Sequence, residues 1–136
     1  DLRICLEPLA AVSAIGNIPE AQLDEEVRIW TRYRDMVERG ESLDSEEIAQ
    51  ADGELHDLIA RYCNNSRLRQ FLNILAIQRS RLVFIMWRSQ KFNSEVIQQH
   101  LRILDCFKRR DAEGLREEMQ GHMELNNWYM LEKLKA

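Results

Sequence analysis

Four side chains in this sequence combine the donor types and the spacing that a metal ion requires. Asp52 and His56 stand four residues apart. On a helix that spacing sets their Cβ atoms about 5–6 Å apart on one face, close enough to share an ion. His100 and His122 lie far along the chain, and with His56 they are its only three histidines. Imidazole nitrogens bind borderline metals at about 2.0–2.1 Å, and a carboxylate oxygen binds at a similar distance. One Asp and three His therefore make a four-ligand set. It suits zinc, and with extra oxygen ligands it suits nickel, manganese or iron.

Helices must bring these residues together, and the apolar periodicity predicts them. The third predicted helix, about Ser45 to Cys63, carries Ile48, Ala51, Asp52, Leu55, Ile59 and Tyr62 on its apolar side, so Asp52 faces inward. An ionised carboxylate away from water is costly unless a cation or several donors accompany it. His100 adjoins the stripe of Ile97, Leu101, Leu104 and Phe107. His122 lies on the stripe of Leu115, Met119 and Tyr129. By itself this pattern admits a second reading. The histidines are then hydrogen-bonded core residues, and Asp52 pairs with a buried arginine such as Arg81.

The remaining elements follow from breakers and caps. A first helix runs from about Leu2 to Ile15, with Pro8 either kinking it or moving its start towards Cys5. Pro19 opens a second helix that ends near Gly40. Asp44 with Glu47 caps the third. The Asn64-Asn65-Ser66 turn precedes a fourth, from about Arg67 to Arg88. Its Leu68, Phe71, Leu72, Leu75, Leu82 and Ile85 make it read as the most deeply buried. Asn93 or Ser94 caps a fifth, and Asp111 caps a sixth that runs nearly to the C-terminus. Six helices with short connections predict an all-α antiparallel bundle.

Composition limits what such a bundle does. The 136 residues suit a single domain with a real core. The net charge of −4 advertises no phosphate-binding surface. Three scattered cysteines without CxxC spacing argue against a disulfide framework and for small core residues in a reducing cytoplasm. No apolar run reaches the roughly 18 residues of a membrane span, so no membrane partner is expected.

The stretch AQADGELHDLIARYCNNSRL, Ala49 to Leu68, resembles the third-helix signature of the FCD domain. That is the C-terminal ligand-binding domain in the FadR branch of the GntR family of bacterial transcription regulators. Asp52, His56 and Asn65 fill the pattern's places. QHLRILDCFKRRDAEGLREEMQGHM, Gln99 to Met123, matches its second half through His100, Asp111 and His122. RICLEPLAAVSA, Arg3 to Ala14, resembles the family's first helix, with Arg3 and Glu7 in matching places. Leu55 stands where the family usually has an aromatic, and Gln99 where it often has Glu.

The resemblance implies a single domain over residues 1–136, with a divalent metal held by Asp52, His56, His100 and His122 in an internal cavity. It implies a small carboxylate effector docking on that metal, with Arg3 first and Arg81 second as candidates to grip it. It also implies a homodimer, and a winged helix-turn-helix domain before Asp1 through which alone the protein would bind DNA. The competing reading is a small hydrolase using metal-bound water. Against it, four protein ligands leave little room for catalysis, and Glu54 projects away from its neighbours.

Overall fold

A computed structural model describes residues 2–135, with the side chains of Gln78, Arg81 and Leu82 outside the description. The described chain is six α-helices: α1 (Leu2–Ala14), α2 (Glu20–Glu38), α3 (Ser45–Arg61), α4 (Ser66–Met86), α5 (Gln90–Arg109) and α6 (Ala112–Lys135). The fold is the expected all-α bundle. α1 packs chiefly on α6, α2 on α5, and α3 on α4, while α5 and α6 pack together. No helix among the described residues is long and apolar enough to cross a membrane.

Local chemistry sets most of the helix ends. Asp44 accepts from the backbone N–H groups of Glu46 and Glu47, and Asn65 accepts from that of Leu68. Asp111 accepts from the Gly114 N–H at 2.9 Å at the start of α6. Such side-chain acceptors satisfy donors that the first helical turn leaves unpaired, each worth about 1 kcal/mol. Pro8 lies within α1 and is buried.

Three expectations need correction. α5 begins earlier than Asn93 or Ser94, because Ser89 caps it through the Phe92 N–H at 3.4 Å. Asn93 is instead buried inside the first turns. α4 is not the most buried helix: Phe71, Ile74, Ile77 and Ile85 are exposed, while Leu72, Val83 and Met86 face the core. Of the cysteines, Cys63 and Cys106 are buried but Cys5 is exposed.

The core closes around aromatic rings. Trp30 and Trp87 are fully buried and stack with centroids 5.9 Å apart, and Phe92 meets Trp87 edge-on at 5.3 Å. Ile48, Leu55, Ile97, Leu104, Leu115 and Met119 complete this layer. Each such side chain contributes about 1.5–3 kcal/mol by leaving water. Polar side chains are buried with them, among them Asp52, His56, His100 and His122.

Candidate metal centre

α3 supplies Asp52 and His56 from consecutive turns, α5 supplies His100, and α6 supplies His122. All four are buried, and one ligand atom of each lies within 4.8 Å of the others. His122 Nε2 is 3.2 Å from His56 Nε2 and 3.3 Å from His100 Nε2. Asp52 Oδ1 is 3.0 Å from His100 Nε2 and 3.4 Å from His56 Nε2. A tetrahedron with bonds of about 2.0–2.1 Å has edges of about 3.3–3.4 Å. Four of the six separations are near that length and every pair lies within 4.8 Å, so the four atoms could hold one ion.

The surrounding hydrogen bonds aim the rings. His122 Nδ1 donates to Gln99 Oε1 at 2.8 Å. An amide oxygen only accepts, so Nδ1 carries the proton and His122 Nε2 presents a lone pair to the cluster. His56 Nδ1 faces Glu7 Oε2 at 3.2 Å. A neutral His56 protonated on that side also turns a lone pair inward. Two lone pairs 3.2 Å apart repel unless a proton on His56 Nε2 or a metal ion lies between them. Asp52 Oδ1 has no aligned hydrogen-bond donor despite its short ring contacts. One dication would satisfy this buried oxygen and the inward nitrogens together, so the donor set fits a divalent metal.

Charges around the cluster are strongly coupled. Burial opposes ionisation of Asp52, but the His56 and His100 rings outweigh it and hold its carboxyl well below the usual range. Glu7 behaves alike: burial opposes its charge, and His56, Arg3 and Arg79 overcome that and lower its pKa. Burial also lowers His56, yet Glu7 and Asp52 outweigh it and raise that ring above 6.5. His100 is lowered, chiefly by burial. Burial and the neighbouring His100 and His56 push His122 well below its ordinary value. Neutral rings at His100 and His122 are the form that binds metal.

A buried guanidinium stands beside the centre. Arg79 from α4 lies 3.8 Å from Glu7 and 3.7 Å from Asp57, and its Nε has no hydrogen-bond partner. Arg3 contacts Glu7 at 3.4 Å. Two small cavities meet at Arg79. One also touches Glu7 and His56, the other Arg3 and Asn126. Each has about 10 Å³ of free space, room for about one water. The space beside Arg79, lined in part by Ile59, Leu72, Met119 and Met130, is therefore smaller than the effector-sized cavity expected here.

All four expected ligands converge, and Arg3 lies at the edge of the site. The Arg81 side chain lies outside the described residues. Sequence reading passed over Arg79, over Gln99 as the acceptor that orients His122, and over Asn126, whose Nδ2 is 3.4 Å from His122 Nε2. The signal for Glu7 was present: a lone acid in the apolar run of α1.

A family model described as FCD domain matches residues 1–125. No curated protein and no solved structure matches this chain.

Proposed function

This chain belongs to the FCD domain family, the C-terminal effector-binding domain of GntR-family regulators, and from that premise we propose that it senses a small carboxylate through a bound divalent metal. Asp52, His56, His100 and His122 are the ligands, and zinc is the first choice of ion, with nickel, manganese and iron as alternatives. The carrying observation is the inward convergence of three Nε2 atoms and an orphaned carboxylate oxygen.

The chemistry of sensing follows from charge. A dication with one carboxylate and three neutral imidazoles keeps a net positive charge and attracts an anion to its remaining coordination positions. Arg79 is the guanidinium best supported for gripping the same anion, since it lines both cavities and its Nε is unpaired. Arg3 lines one of them. Because the space is small, binding requires the side chains around Arg79 to rearrange. A ligand that binds only the rearranged packing shifts the equilibrium towards it.

The output is the geometry of a dimer in the cytoplasm, carrying winged helix-turn-helix heads of the FadR type upstream of this domain. The exposed apolar row Phe71, Ile74, Ile77 and Ile85 on α4 supports self-association. The test is thermal melting with mono-, di- and hydroxycarboxylates. The reading expects at least one acid to raise the melting temperature of the metal-loaded protein and to leave the chelator-treated protein unchanged. Equal shifts in both forms would refute metal-dependent sensing.

A further inference from the structure

α6 carries a second buried polar side chain beside His122. Asn126 follows it by four residues, the same helical spacing that pairs Asp52 with His56 on α3. Asparagine is a poor helix former, yet Asn126 lies inside α6 and only 5% of it is exposed. Val83, Met86 and Met130 line the same small space. A carboxamide in such surroundings is costly unless it has a partner. Its Nδ2 lies 3.4 Å from His122 Nε2, and its Oδ1 has no hydrogen-bond partner.

Placement separates Asn126 from the other polar neighbours of the centre. Gln99 and Glu7 meet the Nδ1 atoms of His122 and His56, the sides turned away from the cluster. Asn126 meets His122 on Nε2, the atom that also faces His56 and His100. Its 3.4 Å equals the separation of two expected ligand atoms, Asp52 Oδ1 and His56 Nε2.

Electrostatics then selects the amide atom. A neutral His122 protonated on Nδ1 offers Nε2 as an acceptor, and an amide N–H suits it. Where a divalent cation takes that lone pair, the same N–H is directed at positive charge. Half a turn about the Cβ–Cγ bond exchanges the amide nitrogen for its oxygen with little change of shape. The oxygen is the atom that a cation attracts.

We propose that Asn126 is a fifth protein ligand of the metal centre, contributing Oδ1 after this half-turn. The proposal rests on the four-ligand reading above and extends it. Four donors in a tetrahedron satisfy zinc, whereas manganese takes more donors and favours oxygen among them. Asn126 therefore tunes which ion the site prefers, towards manganese.

Metal competition on the purified chain tests this. Manganese binding is read from the electron paramagnetic resonance signal of the free ion, and zinc binding from competition with a chromophoric chelator. Asn126→Leu should weaken manganese binding by about tenfold or more, at least what an outer partner of a metal site contributes, and zinc binding markedly less. Asn126→Asp supplies oxygen but no N–H, and should bind manganese at least as well as the wild type. Circular dichroism checks each fold, and Asn126→Ala replaces Asn126→Leu if that variant does not fold. Equal losses for both ions would make Asn126 a packing residue, and an unchanged manganese affinity would make it a bystander; either overturns the proposal. So does loss of manganese binding in Asn126→Asp, which would mark the amide as a hydrogen-bond donor, or a wild type that binds zinc but no manganese. A wild type that binds neither ion would instead refute the metal reading itself, and this extension with it.

Discussion

His122 meets three polar groups through one nitrogen: His56, His100 and Asn126 all lie within 3.4 Å of its Nε2. Its orientation rests on Gln99. Outer partners of metal-binding histidines typically contribute about 10–100-fold to affinity. Gln99→Leu should therefore weaken zinc binding by that factor in chelator competition, while Gln99→Glu, which still accepts from Nδ1, retains it. An unchanged affinity for Gln99→Leu would mean that His122 is aimed by packing alone. The metal-free protein should also respond to acid. His100 and His122 are lowered in the fold, so their contribution is complete above the ordinary value of 6.5 and declines as pH falls below it. His56 is raised, so its contribution is complete below 6.5 and declines only as pH rises. Glu7 and Asp52 are lowered and add a further loss at more acidic pH. Urea unfolding of the metal-free form should thus show stability falling from pH 7 to pH 5; a rise over that window would contradict these assignments. Sequence phase alone brought Asp52, His56, His100 and His122 inward. It did not reveal Arg79, because α4 is apolar on most sides and its phase cannot choose between two arginines two residues apart.

The helices themselves were legible because each carries a period and a cap. Asp44, Asn65 and Asp111 act as caps where they were expected. The start of α5 was misread because Asn93 has the chemistry of a cap but not its place. Ser89 ends the connection from α4 first, and Asn93 turns into the core. α4 was misjudged for a different reason. Its apolar residues cover two faces, and only one packs on this chain. The outer row, Phe71, Ile74, Ile77 and Ile85, follows helical spacing and remains in solvent. If a second copy covers it, Phe71→Lys and Ile77→Lys together should yield a monomer by light scattering. The fold should barely notice, with each change costing about 0.5 kcal/mol or less. A dimer that survives both changes would place the interface elsewhere.

For the molecule as a whole, the bundle draws α3, α5 and α6 together around four polar groups that no apolar core needs. Their buried carboxylate and converging nitrogens are costly without a cation, and the surrounding residues support that arrangement through Gln99 and Glu7. Family spacing in the sequence made the candidate ligand set legible. What it could not convey was the size of the cavity, since that depends on how Leu72, Met119 and Met130 pack after folding. A sensor needs such an alternative packing, held within a few kcal/mol of the first. The most direct test of the account is elemental analysis of the purified protein after incubation with zinc, nickel and manganese, followed by desalting. The account predicts about one divalent ion per chain in the wild type and its loss in His122→Ala that remains folded by circular dichroism. A wild-type chain that retains none of the three metals would contradict it.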